Sequence, residues 1–179
     1  MIQTLNILFQ IVLELLGRCG EEGKSCLSRR LEESSVVFQL LETKAGCQVF
    51  LRSALSAQEK TLRRVWSILE PVNSALAASE ETCYILERII QERAEASDVD
   101  LVSCLTQNKI QFKWMMTTRH CIGLIEVIAE KCQDDQLMKI TNWILSDLNL
   151  AISSEAAGQA FSVVLQELFS KFSPPPSPS

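Results

Sequence analysis

Apolar residues recur at intervals of three and four along nearly the whole chain and seldom at two, which is the period of helices with one buried side. Leu62, Val65, Trp66, Leu69 and Leu76 make one such stripe. Ahead of it, Ser56-Ala57-Gln58-Glu59 has the form of a capping box, in which the serine oxygen and the glutamate each satisfy an amide left over at a helix start. Pro71 interrupts or kinks that helix near Glu70, because it brings no amide hydrogen and its ring crowds the preceding turn. Cys83, Leu86, Ile89 and Ile90 form the next stripe, starting at Ser79 or Glu80 and stopping near Ala96. The run from Val99 to Met116 predicts one long helix with Leu101, Val102, Leu105, Phe112 and Met116 turned inward. Cys121 to Ala129 is apolar nearly all round and needs neighbours on several sides. With Asp134-Asp135 as a cap, Leu137, Ile140, Thr141, Ile144 and Leu148 share a face, and Ala157, Ala160, Phe161, Val164, Leu168 and Phe172 repeat the geometry in a last helix.

These runs amount to about eight helices with short links, which pack antiparallel by default. The fold class is all-α, and a stack of hairpins suits so many one-sided helices better than the alternative, a closed helical bundle. Composition agrees. Six glycines and five prolines, four of the prolines beyond residue 173, leave too few turns for a β-sandwich or barrel. The run Ile2 to Leu16 lacks a basic start and a cleavage site, is interrupted by Gln3, Asn6, Gln10 and Glu14, and is too short to span a bilayer. It reads as an amphipathic core helix with Leu5, Leu8, Phe9, Val12, Leu15 and Leu16 inward. Residues 173–179, Ser-Pro-Pro-Pro-Ser-Pro-Ser, cannot continue a helix, so the reading is one domain over 1–172 and a disordered tail over 173–179.

Seventeen basic against 22 acidic residues give a net charge of −5, and there is a single histidine. That balance argues against a His-rich metal site and a dominant nucleic-acid footprint. Seven widely spread cysteines without a C-x-x-C pair suit neither a disulfide framework nor zinc, and read as reduced core residues of the cytoplasm or, slightly favoured, the nucleus.

In Cys121 to Phe172, Ile122-Gly123-Leu124-Ile125 heads an apolar helix, Gln133-Asp134-Asp135-Gln136 makes a turn, and Asn142-Trp143-Ile144-Leu145-Ser146-Asp147-Leu148 follows; together they resemble an armadillo repeat. Leu40 to Leu55, with Gly46 before a short apolar helix, is similar to Ile152 to Leu165, where Gly158 holds the matching place. The units also resemble HEAT repeats, and the texture resembles the large helical-repeat scaffolds of meiotic recombination. The resemblance implies a short armadillo/HEAT-like α-solenoid that binds proteins along a helical surface and is not an enzyme, and the likeness to the meiotic scaffolds implies a nuclear, meiotic chromosome assembly. It lacks the Trp and Asn ladder of nuclear-import members, since only Asn142-Trp143 matches. About two to four repeats are short for a solenoid, so the chain is expected to be a short form or piece of a longer array. The flank of Ile2 to Leu16 would then drive self-association.

Gly17 to Ser25 ends in Gly-Lys-Ser after an apolar run, like a phosphate-binding loop, but Arg18 stands where the first glycine belongs and Glu21 and Glu22 would repel an anion. A nucleotide-binding switch is therefore the weaker alternative. His120 and Cys121 are adjacent and point about 100° apart on a helix, so they do not form a catalytic pair. Glu32-Glu33, Glu80-Glu81 and Asp134-Asp135 fall at helix starts or on polar faces. No catalytic, cofactor or metal residue is assigned. Arg29, Arg30, Lys60, Arg63 and Arg64 form a candidate basic patch if two helices lie side by side. Phe112, Trp114, Met115 and Met116 are the candidate partner contacts, because one helix cannot bury all four on a single side. The expected function is a scaffold or adaptor with a protein partner, no direct nucleic-acid ligand and no membrane. A small regulatory or dimerisation bundle is the alternative.

Overall fold

The computed structural model describes residues 11, 12, 14, 15, 17–31, 33–69, 79–93 and 101–172. Pro71, Leu76, Ala96, Val99, the tail 173–179 and most of Ile2 to Leu16 lie outside the described residues. What is described is helical, with no strand among it. Contacts divide the chain into two compact units, Met1–Leu101 and Val102–Ser179, where the sequence pattern draws one domain over 1–172.

In the first unit the described residues between 11 and 18 are helical, with Leu15 half exposed. Then come α1 (Glu21–Arg30), α2 (Ser34–Leu41), α3 (Lys44–Leu55), α4 (Glu59–Leu69) and α5 (Glu80–Arg93). The centre is α3, packed against α1, α2 and α5. It buries Ala45, Cys47, Val49, Phe50, Leu51 and Ala54, a face wide enough for several neighbours. Thr43 is its N-cap, accepting a hydrogen bond from the Gly46 N–H at 3.0 Å. At the other end Ser56 closes α3, its hydroxyl donating to the Arg52 carbonyl at 2.9 Å, and α4 begins at Glu59. From the end of α5, Arg93 reaches back and donates to the carbonyls of Leu55 (3.1 Å) and Ala57 (3.0 Å), which the end of α3 leaves without helical partners. The stripes Leu62, Val65, Trp66, Leu69 and Cys83, Leu86, Ile89, Ile90 are buried as their spacing predicts.

The second unit opens within α6 (Leu101–Leu105) and continues through α7 (Lys109–Met116), a 3-10 turn (Arg119–Cys121), α8 (Ile122–Lys131), α9 (Asp134–Leu145), α10 (Leu148–Ala151) and α11 (Glu155–Phe172). Here α11 is central, in contact with α7, α8, α9 and α10. The single helix expected up to Met116 is divided. Thr106 donates its hydroxyl to the Val102 carbonyl at 2.9 Å, and Asn108 then caps a new helix by accepting from Ile110 N–H (2.9 Å) and Gln111 N–H (3.2 Å). Two further expectations are corrected. The cap of α9 is Gln133, whose N–H donates to Gln136 Oε1 at 3.0 Å, while Asp134 and Asp135 occupy the first turn. Leu148 is not on the buried face of α9 but 54% exposed, because the chain turns at Ser146-Asp147. Cys121 and Leu124 to Ala129 are buried except Glu126, as the all-round apolar pattern of that segment requires.

At the end of α11, Lys171 Nζ donates to the carbonyls of Ala129 (3.3 Å), Glu130 (3.1 Å) and Cys132 (2.9 Å), bringing a cation to the negative end of α8. Lys171→Met keeps the stem and removes the charge, and denaturant unfolding of this variant is expected to show a loss of about 1–2 kcal/mol. Cys47, Cys83, Cys121 and Cys132 are buried, and burial pushes the thiols of Cys47 and Cys132 up to about 11. For an acid whose folded value is raised, the unfolded chain ionises first as pH rises. Stability is thus full below the ordinary thiol value near 9.0 and declines towards 11, which melting temperatures across that range will follow.

Candidate functional site

Helix α7 reads KIQFKWMM, and its cap at Asn108 sets which side faces in. Phe112, Met115 and Met116, at i, i+3 and i+4, share one face and are 0% exposed. α8 and α11 both contact this helix. Ile110 and Trp114, one turn apart, stand on the opposite face, 81% and 41% exposed. Of the four candidate contacts, three therefore belong to the core and only Trp114 has surface to offer. Ile110 was not foreseen; once Asn108 is taken as a cap, its four-residue spacing from Trp114 opposite the buried triad is the signal that finds it.

Between core and outer face lie Lys109 and Lys113. Lys109 Nζ donates to Ser146 Oγ at 3.0 Å and Lys113 Nζ to Asp147 Oδ2 at 2.6 Å, tying α7 to the turn after α9. The hydrogen bond and charge of Lys113 hold the Asp147 carboxyl below its ordinary value. This contact helps the folded chain above the ordinary carboxylate value and is lost as pH falls through the lowered one. Across from α7, the Trp143 ring lies 6.3 Å from that of Phe112, and Lys139 Nζ sits 4.9 Å from the Trp143 centroid. The result is an aliphatic and an indole side chain flanked on the same helix by Lys109 and Lys113, whose charges Asp147 answers, with Lys139 a further cation over the neighbouring Trp143.

The other residues singled out are not gathered in this way. Arg29, Arg30, Lys60, Arg63 and Arg64 are exposed, but Arg30 is paired with Glu33 at 2.8 Å and Arg63 with Glu59 at 3.5 Å. Arg29 shares a cleft of about 410 Å³ with Glu22, Ser25, Cys26 and Gln58, so carboxylates break the patch. The Gly-Lys-Ser segment is no loop: Gly23, Lys24 and Ser25 lie within α1, and the Lys24 N–H donates to the Gly20 carbonyl at 3.1 Å rather than pointing at an anion. Cys121 is buried and His120 half-buried in the 3-10 turn. Glu80-Glu81 and Asp134-Asp135 stand in the first turns of α5 and α9, where the positive helix end accounts for them. No helix among the described residues is long and apolar enough to cross a membrane. Neither a family model, nor a curated protein, nor a solved structure matches the chain.

Proposed function

We propose that this chain is a non-catalytic scaffold or adaptor of armadillo/HEAT-like helical repeats that binds a protein partner through the outer face of α7. The observation that carries this reading is the pairing of Ile110 and Trp114, both exposed and one turn apart, on a helix whose opposite side is fully buried. Exposed aromatic and aliphatic anchors with a polar border are what protein interfaces concentrate their binding energy on. Four buried cysteines, Cys47, Cys83, Cys121 and Cys132, serve as small apolar residues and are compatible with a reducing compartment.

The test is comparative capture from one cell type with the tagged chain and its Ile110→Ser/Trp114→Ala variant. At least one abundant protein is expected with the first and absent with the second, while both unfold at the same temperature. Identical sets of captured proteins would remove the proposal. A compact bundle that dimerises is a second reading, favoured by the four neighbours around α11. Light scattering giving twice the chain mass, unaffected by the double variant, would favour that reading.

A further inference from the structure

The charge around the exposed pair says more about what covers it. Residues 101–125 contain Lys109, Lys113 and Arg119 and no carboxylate, although the whole chain is acidic. Lys139 adds a further cation on α9, over the Trp143 ring, and Asp147, bonded to Lys113, also answers the charge of Lys109. The exposed apolar ridge is short, one helical turn long, and no strand edge is available for a partner to extend among the described residues. An α-helix laid against it meets Ile110 and Trp114 with its own residues at i, i+3 or i+4 and i+7.

We infer that the occupant of this face is an amphipathic helix of a protein partner whose apolar ridge is flanked by aspartate and glutamate. The inference rests on the scaffold reading above and names the partner's chemistry. Carboxylates on its flanks meet the ammonium groups of Lys109, hydrogen-bonded to the neutral Ser146 hydroxyl, and Lys139, which lies over the Trp143 ring, and a leucine or phenylalanine ridge covers Trp114 and Ile110. Nucleic acid fits less well. Binding a strand by stacking uses successive open aromatic faces, but Trp114 is the one exposed aromatic side chain of α7, Phe112 is buried and the Trp143 ring is covered by Lys139. Ile110, the most exposed of these side chains, has no ring to stack.

The experiment selects random displayed peptides of about 15 residues, enough for four helical turns, on the intact chain and discards those that also bind Ile110→Ser/Trp114→Ala. The retained peptides are expected to combine apolar residues at i, i+3 or i+4 and i+7 with an excess of Asp and Glu. A synthetic copy should bind Lys109→Glu/Lys139→Glu roughly tenfold more weakly, and reversing the peptide's charges to Lys should restore binding to that variant. Added salt should weaken the original pair. Retained peptides without acidic flanks, or charge reversal without effect or rescue, would overturn the inference. So would concentration-dependent self-association abolished by the apolar variant, which makes a second copy the occupant, or oligonucleotide binding lost in that variant. If cellular capture still depends on Ile110 and Trp114 while the bound segment of the captured protein is not acidic, only this inference falls. If capture does not depend on them, the scaffold reading falls as well.

Discussion

Gly46→Ala should destabilise the first unit by about 3 kcal/mol or more, the largest effect expected of any single methyl group added to this chain. A Cβ at position 46 would lie 2.1 Å from the Leu40 carbonyl oxygen and 2.9 Å from that residue's Cα and carbonyl carbon. All three are backbone atoms, so no side-chain rotation relieves the clash, and the end of α2 and the start of α3 must separate. Separation pulls on the Thr43 cap and on the buried face of α3, against which α1, α2 and α5 pack. The control is Gly158→Ala. There the nearest atom to the new methyl is the Ala151 carbonyl oxygen at 3.5 Å, ordinary contact, and α11 gains helix propensity. That variant should be neutral or more stable by up to about 1 kcal/mol in the same urea titration. Equal effects of the two substitutions would contradict the close approach of α2 and α3.

The second large effect separates two aromatic residues only two positions apart. Phe112→Ala removes a fully buried ring that touches the Trp143 side chain and should cost about 3–5 kcal/mol, with the loss of tertiary signal read by near-ultraviolet circular dichroism. Trp114→Ala removes a ring that is 41% exposed on the outer face and should change stability by under about 1 kcal/mol. Its effect belongs to binding instead. If Trp114→Ala unfolds the chain as Phe112→Ala does, the outer face of α7 is a core element and the candidate surface does not exist.

The sequence pattern reveals the class of the fold and most core residues because burial on a helix repeats every three to four positions, as in Leu62, Val65, Trp66 and Leu69. It is weakest at helix ends. Thr106-Gln107-Asn108 interrupts a pattern that continues in phase on both sides, so Val102, Leu105, Phe112 and Met116 are all buried even though two helices carry them. Only the capping chemistry of Asn108 marks the break. Leu148 shows the converse error: its offset of 11 from Leu137 keeps helical phase only if the helix lasts, and it ends at Leu145. Gly46 and Gly158 look equivalent in sequence, third residue of α3 and fourth of α11, yet a Cβ would clash with backbone only at Gly46 and make ordinary contact at Gly158. Such a contact is set by tertiary approach and leaves no local mark. At the candidate site, Trp114 was legible as an aromatic residue in excess of what one face can bury. The lysine border was not, because Lys113–Asp147 and Lys109–Ser146 join residues 34 and 37 positions apart.

The most direct measurement replaces Trp114 in the full chain with a photoactivatable phenylalanine analogue and irradiates intact cells, with Gln159, exposed on α11, as the control position. A binding face at α7 predicts a discrete heavier adduct with one other protein from position 114 and none from position 159. Adducts equally abundant and diffuse from both positions, or none at 114, would contradict it.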